Sequence, residues 1–212
     1  MLQIYYLYRQ VPKKIRLVLF SVIPILLCLC LNLWQTRPVL AQYLPVNQSN
    51  SGNPWQYASF PVENFQTYTS GFGYRISPIS GSRQFHYGLD MAAPLGSYVR
   101  NWWTGQVIEL SDNTNCGTMI KIESGQWQHI YCHLMGRVED TPSGRSLIDS
   151  SGGILLTLGQ IIPYGTRIAR IGVTGNTTGP HLHWGLKYNG EYIDPGLVLR
   201  EMYQQQSESP AT

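Results

Sequence analysis

The chain has 212 residues, only 13% of them charged, with fifteen Lys and Arg against twelve Asp and Glu. Five of the basic residues and none of the acidic ones fall within the first 41 positions, so the rest carries ten basic and twelve acidic groups. That balance excludes a nucleic-acid-binding footprint, and the roughly 170 residues after the basic start suffice for one domain with a real core.

Arg9, Lys13, Lys14 and Arg16 lead into an apolar run from Leu17 to Trp34, broken by Pro24 and followed by Pro38-Val39-Leu40-Ala41. A basic start, an apolar middle and a small residue at the end describe a secretory signal peptide over 1–41, cleaved after Ala41. The run is long for a signal, so an N-terminal membrane anchor is the rival reading. Either one sends the domain out of the cytoplasm, to the periplasm or cell envelope. Cys28 and Cys30 are read as apolar residues of this segment.

Residues 42–60 are rich in Asn, Gln, Ser, Gly and Pro and read as a linker, with Trp55, Tyr57 and Phe60 packing its end onto the domain. From 61 to 200, short β-branched or aromatic runs recur between Gly, Pro, Asn and Asp: 97–101, 105–110, 118–122, 128–134, 167–173 and 181–187. They predict an all-β domain of antiparallel packed sheets. One short helix is predicted, from Pro195 to Tyr203, and 201–212 reads as a flexible tail. Arg137 to Gly153 has loop composition, and a loop of that length either fences a substrate or is merely mobile.

Cys116 and Cys132 flank a predicted hairpin of Thr118–Glu123 and Gln126–Tyr131, turning at Ser124-Gly125. Within one residue of slippage they face each other, so a cross-strand disulfide is expected in an oxidising compartment.

The chemistry concentrates in histidines. His86 and Asp90 stand four apart, and His181 and His183 stand two apart about ninety residues later. Along a strand each pair shares a face. Cα atoms two apart are about 6.5–7 Å from each other, too far for both imidazoles to ligate one ion on a straight strand. One imidazole of the second pair, with His86 and Asp90, makes a three-ligand zinc set whose fourth position is open for water. Its neighbour is left to move protons.

Taken in order, His86-Tyr87-Gly88-Leu89-Asp90, Tyr131-Cys132-His133-Leu134 and Gly179-Pro180-His181-Leu182-His183 resemble the motifs of the lysostaphin-type (LytM-like) zinc endopeptidases of bacterial cell walls. Ser70-Gly71-Phe72-Gly73-Tyr74-Arg75, the stretch 88–94 and the glycine-rich segments 165–172 and 173–179 match as well, over about Phe65 to Pro195. The resemblance implies packed antiparallel sheets of barrel-sandwich type around a groove. It implies one Zn2+ held by His86, Asp90 and His183, with His133 and His181 as the catalytic pair. It implies hydrolysis of peptide cross-links in peptidoglycan, a D,D-linkage first and a glycyl bridge as the alternative. All five positions carry the expected residue types, unlike the ligand-poor relatives that only bind the wall or regulate amidases, which are the alternative function. No heptad or apolar face suggests assembly, so a monomer is expected.

Two segments depart from the resemblance, Asn101-Trp102-Trp103-Thr104-Gly105 and the insertion at 137–153, and both are read as shaping the groove. His129 stands four before His133 and competes weakly as a ligand; a half-exposed strand histidine is the expected alternative. Trp102, Trp103, Trp127 and Trp184 are read as packing groups that could also stack on sugars.

Overall fold

A computed structural model describes residues 57–208 of the chain. The signal or anchor segment, the linker up to residue 56 and the last four residues lie outside the described residues. Among the described residues no helix is long and apolar enough to cross a membrane.

The domain is built from antiparallel strands: β1 (Thr67–Ser70), β2 (Gly73–Ile76), β3 (Arg83–His86), β4 (Leu89–Ala92), β5 (Tyr98–Arg100), β6 (Gly105–Ser111), β7 (Thr118–Ser124) and β8 (Trp127–Leu134). There follow β9 (Arg137–Thr141), β10 (Gly144–Asp149), β11 (Ile154–Thr157), β12 (Ile161–Ile162), β13 (Arg167–Arg170), β14 (His181–Tyr188), β15 (Glu191–Ile193) and one helix, α1 (Pro195–Glu208). The main sheet runs β1-β4-β14-β8-β7-β6-β12, with β15 added along β14. Three smaller sheets, β11-β10-β9, β13-β5 and β2-β3, complete it.

Period-two alternation explains the core. On β14, Leu182, Trp184 and Leu186 are fully buried, and on neighbouring β4 Leu89 and Met91 join them. Trp102 reaches the same core, its ring edge-on to Trp184 at 5.6 Å, while its backbone N–H donates to Tyr131 Oη at 2.9 Å. Asn101 is buried and donates from Nδ2 to the Ile162 carbonyl at 2.8 Å. The Asn-Trp-Trp segment is therefore a core device and not a groove wall.

Four other expectations change. The segment 137–153 folds as strands β9 and β10 and a short 3-10 turn, because its Thr-Pro-Ser-Gly stretch is only a hairpin tip, closed by Thr141 Oγ1 donating to the Gly144 carbonyl at 2.8 Å. Leu147 buries on its inner face together with Ile154 and Leu156 of the adjoining β11, and Arg170 clamps Asp149 with two hydrogen bonds of 2.7 and 2.8 Å. None of its residues lines the groove described below.

The predicted helix is found but runs to Glu208 and takes in most of the expected tail. Asp194 starts it by accepting from the Gly196 N–H at 2.8 Å, Val198, Leu199 and Met202 bury against the core, and Gln206 Nε2 donates to the Ala58 carbonyl at 2.8 Å. That last bond and the rings of Phe60 and Tyr203, 6.1 Å apart, join the final turns to the incoming chain.

The hairpin turns one residue later than expected, with Ser124 opposite Trp127. As expected, Cys116 precedes β7. It forms the disulfide with Cys132, at a Cα separation of 5.0 Å, because Gly117 at φ 63° bends the chain back and the His133 N–H donates to the Cys116 carbonyl at 2.8 Å.

His129 is also not the half-exposed histidine expected. It is fully buried, with Nε2 2.9 Å from Ser124 Oγ and Nδ1 3.1 Å from Tyr131 Oη, and burial holds its pKa down to about 3. As pH falls, the unfolded chain takes up this proton first, at about 6.5. The stability it supplies is full above that value and is lost as pH falls toward 3, at up to about 1.4 kcal/mol per pH unit. In chelator-treated protein, urea unfolding should show His129→Gln less stable than wild type at pH 7, with the gap narrowing toward pH 4. A gap independent of pH contradicts a neutral buried imidazole.

Candidate active site

Three adjacent strands at the middle of the main sheet deliver four of the five expected site residues. Asp90 comes from β4, His181 and His183 from β14, and His133 from the end of β8. His183 and Asp90 are direct cross-strand partners, so register alone sets His183 Nδ1 2.8 Å from Asp90 Oδ1.

His86 arrives differently. It ends β3, which pairs with β2 in a separate hairpin, whereas Asp90 lies in the main sheet. The two therefore meet across a corner at Tyr87-Gly88 and not along one continuous strand. A Cβ on Gly88 would fall 2.6 Å from His183 Cε1 and 2.8 Å from the Trp184 carbonyl oxygen, so the corner closes on the imidazole only without a side chain.

His86 Nε2 stands 3.0 Å from Asp90 Oδ1 and 2.9 Å from His183 Nδ1. His86 Nδ1 donates to the Gly71 carbonyl at 2.7 Å, which fixes its proton there and leaves the Nε2 lone pair facing the other two groups. Two ring nitrogens and a carboxylate oxygen thus converge, and such a set is relieved by a cation at its centre. These three form a group that could hold a metal ion, and two nitrogens with one oxygen suit zinc. Burial pushes the Asp90 carboxyl up, but the bonds to His183 and His86 outweigh it and hold it below the carboxylate range. Burial lowers His183.

His133 owes its place to backbone strain. Strand alternation would put it beside buried Tyr131 in the core, opposite to Cys132, which shares a face with its partner His183. At φ 63°, the left-handed region, His133 leaves the pleat, and its ring comes 4.9 Å from that of His181. This is why His129 and His133, four apart, do not share a face. His133 Nδ1 donates to the Thr174 carbonyl at 2.9 Å, and burial first of all holds its pKa down to about 4. His181 Nδ1 donates to the Gly179 carbonyl at 2.9 Å, and its Nε2 lies 3.6 Å from Asp90 Oδ1. Both imidazoles are left with Nε2 as the nitrogen free to accept a proton.

The group lies in an open groove of about 340 Å3, walled by β1, the β2-β3 hairpin and the segment 176–181. Arg75 enters this groove and was singled out in the sequence only as part of a motif. Its Nη1 donates to Ser70 Oγ at 2.6 Å and to Asp90 Oδ2 at 3.3 Å. The carbonyls of Gly71, Thr174 and Gly179, which fix the three histidine tautomers, have no sequence signal at all, since any residue supplies one.

The sequence model of Peptidase family M23 matches residues 145–195. Among curated proteins, the chain is 30% identical over 138 residues to peptidoglycan DD-endopeptidase ShyB of Vibrio cholerae, covering 64% of this chain and 28% of that protein. The chain spans less than a third of the length of such curated relatives. Among solved structures, a zinc-containing peptidase of Vibrio cholerae aligns with a TM-score of 0.53 at 30% identity, over 66% of this chain and 39% of that one. The catalytic domain of lysostaphin from Staphylococcus simulans aligns with a TM-score of 0.50 at 23% identity, over 63% and 92%, and shares the fold. Motif order, strand order and these matches agree: residues 145–195 match peptidase family M23, and the domain has the fold of the lysostaphin-type peptidases.

Proposed function

We propose that this domain is an exported zinc metalloendopeptidase that hydrolyses peptide cross-links of peptidoglycan. The observation that carries the reading is the meeting of His86 Nε2, Asp90 Oδ1 and His183 Nδ1 within 3.0 Å of one another beside two tautomer-fixed imidazoles in an open groove. Relatives named as peptidoglycan DD-endopeptidases support the wall as substrate and a D,D-linkage as the bond. The envelope is the matching location.

In this reading His86, Asp90 and His183 hold one zinc ion. Zinc bound there supplies a Lewis acid for the scissile carbonyl and acidifies a water molecule to a pKa of about 7. The chain's own residues do the rest. His133 and His181, bonded through Nδ1 to carbonyls, accept a proton at Nε2 and then present it as an N–H to the developing oxyanion or the leaving amine. Arg75 keeps one oxygen of Asp90 occupied, so that the other faces the two imidazoles. The open groove admits an extended peptide to this edge of the sheet.

The test is incubation of the purified chain from Gln42 with isolated peptidoglycan, with and without a chelator, followed by muropeptide analysis. Zinc-dependent loss of cross-linked dimers is expected, and His86→Ala and His183→Ala should lose both metal and cleavage. Stoichiometric zinc with no fragments released from any wall type would favour a binding module.

A further inference from the structure

Arg75 on β2 is the one permanent cation among the described residues that line the groove, and Asp90 is the one carboxylate. Its strong hydrogen bond is to Ser70 Oγ at 2.6 Å; the 3.3 Å contact to Asp90 Oδ2 is longer than the roughly 2.7–2.9 Å of a full-strength ion pair. The guanidinium is thus anchored by a neutral hydroxyl, and much of its charge is not spent on Asp90. Nε is buried without a partner, yet 26% of the side chain is exposed, so the open part lies toward its end. The nearby Thr69, Asn176, Thr177 and Thr178 offer hydrogen bonds to a peptide backbone but no charge.

Once Asp90 is committed to a divalent ion, no second carboxylate in the described groove is left to neutralise Arg75. A planar fork with open N–H groups in such a place matches a carboxylate better than any neutral group. We propose that Arg75 is a specificity-determining residue: its guanidinium takes a free carboxylate on the peptide in the groove, so the site selects cross-links that carry one over uncharged glycyl bridges. This rests on the endopeptidase reading above. A role confined to holding Asp90 makes a different prediction, an equal loss on charged and neutral substrates.

The test uses two cross-linked peptides identical except that the α-carboxylate beside the scissile bond is free in one and a carboxamide in the other. Kinetics and zinc content are measured for wild type, Arg75→Gln and Arg75→Lys. Amidation should lower the wild-type kcat/KM by about 10- to 100-fold, chiefly through KM. Arg75→Gln should cut the two peptides at rates within about twofold of each other, and Arg75→Lys should keep a reduced preference. Calorimetric binding of the acid and amide forms of the product to wild type should follow the same order. Equal treatment of the two peptides by wild type, or a full preference persisting in Arg75→Gln, overturns the proposal. If Arg75→Gln loses zinc, Arg75→Lys and the calorimetry decide. A zinc-loaded wild type that cuts neither peptide overturns the endopeptidase reading instead, while the calorimetric order still decides for or against Arg75.

Discussion

Replacing His133 by Asn should lower turnover by about 100- to 10,000-fold and leave the zinc content unchanged. The range is that of a positioned proton carrier. His133 is not one of the three atoms that converge, so its loss leaves the ligand set whole. Asn is the informative replacement because position 133 sits at φ 63°, and Asn tolerates the left-handed region better than other non-glycine residues. Ala at that position keeps the strain and removes the ring's packing, so a loss in that variant mixes chemistry with stability. His181→Ala should behave alike, since its ring also lies outside the ligand triangle and its Nε2 faces Asp90. Kinetics on cross-linked peptide, paired with metal analysis of the same samples, checks both. Normal turnover in His133→Asn means the proton work is done elsewhere.

The second large effect comes from a residue with no chemistry of its own. Gly88→Ala should remove zinc binding and activity together, although all five histidine and aspartate positions are untouched. The added Cβ would lie 2.6 Å from His183 Cε1, 2.7 Å from His183 Nε2 and 2.8 Å from the Trp184 carbonyl oxygen. The ring could swing aside, but Trp184 is fully buried and its backbone is held in β14 between β4 and β8, so the backbone cannot follow. The corner must open or His183 must leave, and either breaks the triangle of His86, Asp90 and His183. Chelator-competition titration of zinc, with thermal unfolding of the metal-free protein alongside, separates this from general unfolding. A variant that binds zinc as wild type does means the corner has slack that the 2.8 Å carbonyl contact denies.

The parts legible in the sequence are those with local signals. Leu182 and Trp184 between and after the two histidines of β14 dictate which face is core, and the structure follows them. The β character and the C-terminal helix were readable for the same reason. The segment 137–153 misled because Pro142, Ser143 and Gly144 mark a tight hairpin tip as readily as a long loop; only Leu147 and the Asp149–Arg170 pair, a contact 21 positions apart, decide between them. His129 misled because the four-residue spacing to His133 assumes an unbroken strand, and the left-handed residue that breaks it is not a glycine. The meeting of His86 with Asp90 was expected for a reason the structure replaces: a corner between two sheets, not one strand face, brings them together.

That corner has a consequence for how the molecule behaves without its ion. The β2-β3 hairpin forms one lip of the cleft and is stitched to the rest of the protein at His86 through the same atoms that would coordinate zinc. Amide exchange in 73–86 should therefore quicken when zinc is stripped, while β8 and β14 keep their protection. Metal supply then governs the shape of the cleft as well as its chemistry, and a starved copy would have a loosened jaw as well as a missing reagent.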